Sequence, residues 1–143
     1  ELCSKFDLCV CNPPYKRAGS GLVTENEGLN IARMELLCTF DDIAKAAADI
    51  LMPNGRFCVC NRPDRLTDVI CAMRKYGIEP KRLRMAAQKY GAEPMLFLCE
   101  GQKGAKSGLV VEKTLYLQNV DGDDTDEVTE IYKKWREHLR SEK

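Results

Sequence analysis

Phe6-Asp7-Leu8-Cys9-Val10-Cys11-Asn12-Pro13-Pro14-Tyr15 is the stretch from which the rest of the chain is read. Its first six residues form a short, nearly continuous apolar run, the pattern of a strand buried in a parallel sheet. Asn-Pro-Pro then stops it, because two prolines remove backbone donors and fix φ. A strand ending in a stiff polar turn places that turn at the sheet's carboxyl edge, where open α/β sheets bind ligands.

Two acceptors sit in that turn: the Asn12 side-chain oxygen and the Pro13 carbonyl. Held at a fixed spacing, they match both N–H bonds of one amino group. The amino group of adenine, like an amide nitrogen, is a poor nucleophile because its lone pair is delocalised. Two N–H acceptors draw that nitrogen toward a tetrahedral shape and aim the lone pair, with no strong base required. The prolines preorganise the acceptors. Tyr15 adds a flat face for base stacking, worth about 1–3 kcal/mol in base–aromatic systems. A base inside a structured nucleic acid has first to be flipped out. The plainer reading of the four residues is a stiff turn after a strand.

Outward from this motif, residues 15–30 are polar and glycine-bearing, long for a structureless connection. Residues 30–52 carry apolar positions Ile31, Met34, Leu37, Cys38, Ile43, Ala44, Ala47 and Ile50 at three- and four-residue spacing, which predicts a helix. A break near Thr39-Phe40-Asp41-Asp42 is expected, with Thr39 or Asp41 as a second N-cap. Pro53-Asn54-Gly55 ends the helix, and Arg56–Asn61 reads as a second strand. Asp64 is expected to cap a helix closed by Gly77. Residues 78–85 and 95–100 read as strands paired antiparallel through the turn at Tyr90–Pro94. A basic loop (Gly101–Gly108), an extended stretch (Leu109–Gln118) and an acidic turn (Asp121–Asp124) follow. The final helix, Thr125–Leu139, has Val128, Ile131, Tyr132, Trp135 and Leu139 on one face, a docking face. Strand–helix–strand order implies a parallel sheet wound with helices, plus one antiparallel strand.

Composition sets outer bounds. The 143 residues suffice for one domain core. Hydrophobic residues at 44% and charged residues at 31% fit a globular domain. No apolar run approaches the ~20 residues of a membrane span, and no signal peptide is visible. The start at Glu1-Leu2-Cys3 is expected to lie inside a larger protein. The 22 basic and 22 acidic residues cancel, yet they are unevenly placed. Arg62, Arg65, Arg74, Lys75, Lys81, Arg82, Arg84 and Lys89 face only Asp64, Asp68 and Glu79 in the same stretch, while acids lead after Val120. Such a basic stretch either meets phosphates or forms ordinary solvated faces. Most of the eight cysteines sit in apolar runs, where free Cys acts as a small hydrophobe in a reducing, cytoplasmic setting. The two C-x-C pairs, Cys9/Cys11 and Cys58/Cys60, lack the usual zinc-knuckle spacing, so no metal is expected.

Phe-Asp-Leu-x-x-x-Asn-Pro-Pro-Tyr resembles motif IV of class I S-adenosylmethionine (SAM)-dependent amino-methyltransferases. Other stretches are similar to the bacterial tRNA1(Val) (adenine-N6)-methyltransferase branch: residues 29–35, 42–47, 53–57, 61–66 and 73–77, and the Gly101–Gly108 loop with the extended end. The resemblance covers nearly the whole chain. It implies the C-terminal half of a Rossmann-like class I methyltransferase sheet over residues 1–118, with a C-terminal helical extension over 119–143. It implies transfer of a methyl group from SAM to the N6 amine of an adenine in tRNA. Asn12, Pro13, Pro14 and Tyr15 would be catalytic, and Lys16, Arg17 and Arg33 would hold substrate. Protein-glutamine N5-methylation and a non-catalytic binding or assembly module are the alternatives. Family members commonly carry His where this chain has Met34. The glycine-rich SAM loop is absent: neither Gly19-Ser20-Gly21 nor Gly101–Gly108 follows the strand–turn–helix pattern. The resemblance therefore puts the cofactor contacts, and roughly a hundred residues with three strands, upstream of Glu1. Phe6–Cys11 would then be an exposed apolar edge through which the isolated chain self-associates. His138, the sole histidine, reads as a surface residue.

Overall fold

The computed structural model describes residues 4–13 and 39–141. The loop 15–30, the helix expected from residue 30 and the side chains of His138 and Leu139 lie outside the described residues. In chain order the elements are β1 (Phe6–Cys11), α1 (Phe40–Ile50), β2 (Leu51–Asn61), a 3-10 turn (Pro63–Arg65), α2 (Leu66–Lys75), β3 (Ile78–Ala87), β4 (Pro94–Lys103), β5 (Val110–Val111), β6 (Leu115–Tyr116) and α3 (Asp126–Ser141).

One sheet holds every described strand, in the order β1-β2-β4-β3-β5, with β6 also on β3. β1 and β2 are parallel. β4 runs antiparallel to both β2 and β3. This is the wound sheet with one reversed strand that the element order implies. β1 ends the sheet on its side, and Phe6, Leu8 and Val10 along it are 41%, 46% and 70% exposed. Among the described residues, then, β1 lies at one end of the sheet with an exposed apolar row along it.

Side-chain alternation sends the strands' two sets of residues to different faces. Phe57 and Val59 of β2, Phe97 and Cys99 of β4, and Leu83 of β3 face α1 and α2. They pack with Ala47, Ala48, Val69 and Met73 into the main core, and Cys9 and Cys11 of β1 join its margin. Gly101, on the same face of β4, is required by this packing. A Cβ there would stand 2.2 Å from Met73 Cε and 2.8 Å from Ile78 Cγ2. On the opposite face a smaller cluster joins Ala86, Leu115 and Val128, so α3 docks by its first turn. Ile131, Tyr132 and Trp135 farther along α3 are about half exposed, so among the described side chains the predicted docking stripe meets this sheet at Val128.

α1 begins at Thr39, the expected second N-cap, in a reciprocal capping box with Asp42. Asp42 N donates to Thr39 Oγ1 at 3.3 Å, and Thr39 N donates to Asp42 Oδ2 at 2.8 Å. The helix stops earlier than the sequence pattern suggested. Leu51 is already extended, with ψ 139, and opens β2. Lys103 Nζ on the neighbouring β4 donates to the carbonyls of Ala48 and Leu51 at 2.5 and 2.7 Å, which satisfies acceptors at the helix end. Pro53-Asn54-Gly55 thus lies inside β2, not before it. The register against β1 slips between Leu51 and Arg56 to accommodate it. Asn54 takes φ 65 there, and a Cβ on Gly55 would meet Met52 O at 2.8 Å.

Asp64 is not a helix cap. It sits inside the 3-10 turn, which leads into α2 without a side-chain cap. Pro63 at the start of that turn sets φ for a helical turn and takes the place of a capping side chain. Gly77 closes α2 as predicted, at φ 74. None of the described helices is long and apolar enough to cross a membrane.

Candidate functional site

β1 and β2 end side by side, with Cys11 opposite Val59. One step further on, Asn12 meets Cys60: the Cys60 thiol donates to Asn12 Oδ1 at 3.1 Å. Asn12 is exposed, while Pro13 is buried. The stiff residue is thus anchored in protein and the carboxamide is presented at the surface, the arrangement a preorganised acceptor needs. Pro14, Tyr15, Lys16, Arg17 and Arg33 lie outside the described residues, so of the predicted site residues the structure places Asn12 and Pro13.

Asn12 stands at one rim of a concavity of about 400 Å³ on the sheet face opposite α1 and α2. Val10, Cys58, Cys60 and Leu98 form its apolar floor, and Arg82, Arg84, Glu100 and Glu112 form its far side. The charges there are matched. Arg82 Nε lies 2.7 Å from Glu112 Oε1, and its Nη1 lies 3.6 Å from Glu100 Oε2. Arg84 Nη2 is 2.8 Å from the Glu127 carboxylate. The hydrogen bond from Arg82 holds the Glu112 carboxyl below the usual carboxylate range, so the pair is ionised at neutral pH.

The basic stretch seen in the sequence is neutralised in the same way. Arg62 faces Asp64, Arg65 faces Asp68, Arg74 faces Glu79, and Lys75 pairs with Asp41. Lys81 Nζ donates to the Lys106 carbonyl. Between them these contacts occupy Arg62, Arg65, Arg74, Lys75, Lys81, Arg82 and Arg84, which favours solvated ion-paired faces over one phosphate-binding surface.

The cysteine pairs part company in three dimensions. Cys9 and Cys11 face the helices, whereas Cys58 and Cys60 face the concavity with Val10 and Asn12. Sulfurs on opposite faces of a sheet make no tetrahedral cage. Burial pushes the Cys9 and Cys58 thiols up, with Glu100 adding to the effect at Cys58. Burial pushes the Cys99 thiol to about 11. At neutral pH these three remain protonated and weakly nucleophilic. What the sequence reading missed is Cys60 as a neighbour of Asn12. Its signal was parity: in parallel strands in this register, residue 60 stands beside residue 12.

A methyl donor's cradle is not among the described residues. No described strand runs through a glycine-rich turn into a helix, the arrangement that holds a nucleotide-like cofactor in wound sheets.

No family model matches the chain. Its sequence is 34% identical over 89 residues to the tRNA1(Val) (adenine(37)-N6)-methyltransferase of Phocaeicola vulgatus, covering 62% of this chain and 37% of that protein. It is 29% identical over 96 residues to the protein of the same name from Porphyromonas gingivalis, covering 67% of this chain and 37% of the relative. The chain therefore spans little more than a third of the length of these relatives. In structure it matches a predicted O-methyltransferase from Agrobacterium tumefaciens with a TM-score of 0.69 at 18% identity, over 89% of this chain and 50% of that one. In fold, then, the chain is similar to part of that predicted O-methyltransferase, with a Rossmann-like α/β arrangement, and by sequence it is similar to the bacterial tRNA1(Val) (adenine(37)-N6)-methyltransferases.

Proposed function

We propose that the chain is the substrate-side part of a SAM-dependent N-methyltransferase whose target is the exocyclic N6 amine of an adenine in tRNA, acting in the cytoplasm. The observation that supports this best is the placement of Asn12 and Pro13. An exposed carboxamide on a buried proline stands at the carboxyl end of a parallel strand, beside the next strand's end. The relatives' names supply the substrate class.

In this reading Asn12 Oδ1 and the Pro13 carbonyl accept the two N–H bonds of the target amine. Ground-state conjugation keeps that nitrogen flat. Two fixed acceptors favour the pyramidal form and turn the lone pair away from the ring, so stabilisation grows as the nitrogen becomes nucleophilic. The acceptors would hold both protons as the methyl passes from the donor's sulfonium sulfur, which leaves as a neutral thioether, and the surplus proton on the methylated nitrogen would then leave to solvent. Pro14 stiffens the turn, Tyr15 stacks on the flipped base, and Lys16, Arg17 and Arg33 hold neighbouring phosphates. SAM supplies an electrophilic methyl. Its contacts belong to sequence outside these 143 residues, so the isolated chain is expected to be inactive and to self-associate through the β1 edge with a second copy.

The test is calorimetric titration of SAM into the 143-residue chain and into the same chain extended upstream in its gene. Binding by the extended protein alone is the expected result. The extended protein is then offered bulk tRNA and a release factor with labelled SAM. Label in tRNA as N6-methyladenine supports the reading. Label in a release-factor glutamine would reassign the substrate, and SAM binding by neither form would leave Asn12–Tyr15 as a turn without chemistry.

A further inference from the structure

The carboxyl edge of the sheet extends well beyond Asn12. β4 runs antiparallel to β2, β3 antiparallel to β4, and β6 parallel to β3, so β1, β2, β3 and β6 all end at that edge. The turn joining β3 to β4, residues 88–93, therefore stands at the same edge as the motif. Strand order and register place it. Two to three strand spacings separate β1 from the turn, roughly 10–14 Å. Asn12 is level with Cys60, and Cys60 pairs with Leu98. β4 begins nearer the edge, at Pro94, so the turn rises about 13 Å past the level of the motif.

The turn carries an aromatic pair. Ala92 N donates to the Lys89 carbonyl at 3.1 Å and closes it, with Gly91 at φ 78. Tyr90 at its corner is 83% exposed. Its ring still has a fixed backing. The Tyr116 ring of β6 stands 5.6 Å away, centroid to centroid, at 57°, within the range of attractive aromatic pairs. Gln88 Nε2 donates to Gln118 Oε1 at 3.0 Å, which ties the turn to the chain just past β6. A ring held this way loses little freedom when something flat settles on it. The surroundings are not basic. Lys89 is offset by Glu93 in the same turn, and Asn119 folds the acidic turn of Asp121, Asp123 and Asp124 back beside Gln118. Such a surface repels a phosphate but not the uncharged face of a base.

We infer that Tyr90, backed by Tyr116, is a stacking platform for an unpaired base of the nucleic-acid substrate, a few nucleotides from the adenine held at Asn12. The inference rests on the proposed reading of the chain as part of a tRNA adenine methyltransferase. Several nucleotides of single strand, at about 3.4 Å each when stacked, span the separation from Asn12. Every base has a π-face, so the platform accepts any of them. It holds the strand in place and leaves the choice of target to the motif. Tyr90 touches neither the methyl donor nor the reacting nitrogen in this scheme, so it acts on substrate binding and not on the transfer step.

The experiment compares Y90A, Y90F and Y90W in the upstream-extended protein, with bulk tRNA and labelled SAM. Y90A is expected to raise the KM for tRNA about five- to a hundredfold, the range for one lost base–aromatic stack. Its kcat at saturating tRNA and its KM for SAM are expected to stay unchanged, the signature of lost uniform binding. Y90F and Y90W keep a flat ring and are expected to stay near wild type. The fold-change in Y90A is expected to be the same at low and high salt. A stacked base releases no counterions, whereas the loss of a phosphate contact matters less as salt rises. An unchanged KM for tRNA in Y90A, with N6-methyladenine still formed, overturns the inference and leaves the functional reading standing. So does a rise in KM that Y90F fails to rescue, or one that vanishes at high salt. Label in a release-factor glutamine and none in tRNA removes the functional reading, and the inference with it.

Discussion

Asn12 is the residue on which the functional reading turns, and its position separates chemistry from stability. It is exposed at the end of β1, so removing its side chain costs little packing. In the upstream-extended protein, Asn12→Ala is expected to reduce methyl transfer on the order of 100-fold, the scale for deleting one preorganised electrostatic group. The thermal midpoint is expected to stay within about 2 °C. A steady-state rate and a melting curve on one preparation decide it: a large fall in both would make Asn12 a structural turn residue. At this scale the sequence was informative where chemistry and backbone coincide. Asn-Pro-Pro after an apolar run reads both as a stop signal and as the candidate acceptor pair of the proposed function, and the structure puts Asn12 and Pro13 just past a strand end. Cys60 was not legible in the same way. In sequence it is half of a C-x-C pair, and only the β1–β2 register shows that its neighbour is Asn12 and not another sulfur.

The elements show where local signals suffice and where packing overrides them. Thr39 was readable as a cap because Thr, Asp and Asp cluster before an apolar-periodic run, and the capping box is present. Thr39→Ala is expected to cost about 1 kcal/mol, measured by denaturant unfolding, since α1 covers one side of the core. Periodicity carried α1 too far, because Leu51 is apolar in either state. At the helix end Lys103, 52 positions from Leu51 in sequence, donates its ammonium to the carbonyls of Ala48 and Leu51, a contact no local pattern announces. Gly101 was likewise unreadable: it looked like the start of a loop and is instead a strand residue kept small by Met73 and Ile78. Gly101→Ala is expected to destabilise by about 1–3 kcal/mol, the usual cost of overfilling a close-packed core. A variant with unchanged midpoint would mean that Met73 moves aside freely. The α1–α2 junction adds a pH dependence. Hydrogen bonds from Lys75 and Tyr76 hold the Asp41 carboxyl below its ordinary value, and Thr39 does the same for Asp42. A depressed folded-state value contributes stability above the unfolded value that is lost as pH falls through the folded one. Unfolding midpoints are therefore expected to hold near neutrality and drop through the carboxylate range, and Asp41→Asn should flatten that drop.

At the scale of the whole molecule, the edge of β1, unpaired on one side among the described residues, is the feature with the largest consequence. Phe6, Leu8 and Val10 alternate with Cys9 and Cys11 along a strand paired on one side, by β2, among the described residues. This edge was expected from the family resemblance, whose sheet order implies another strand beside β1 in the sequence upstream of Glu1. Natural edges are usually blunted by charge, proline or a bulge. Here Asp7 is the one charged side chain within β1, and the register slip lies toward Phe6, away from the motif. Six extended residues offer an edge of about 20 Å, enough for a second copy to pair antiparallel about a two-fold axis, satisfying both rows of backbone groups. The 143-residue chain is expected to sediment as a dimer, and Val10→Lys, which places a like charge on both copies, is expected to shift it to monomer at the same concentration. The upstream-extended protein should be insensitive to the same substitution in its oligomeric state, because there the edge is expected to be paired within the chain. A wild-type 143-residue chain that sediments as a monomer at all concentrations would end the argument. So would a dimer that survives Val10→Lys, which would move the contact to the half-exposed Ile131, Tyr132 and Trp135 of α3.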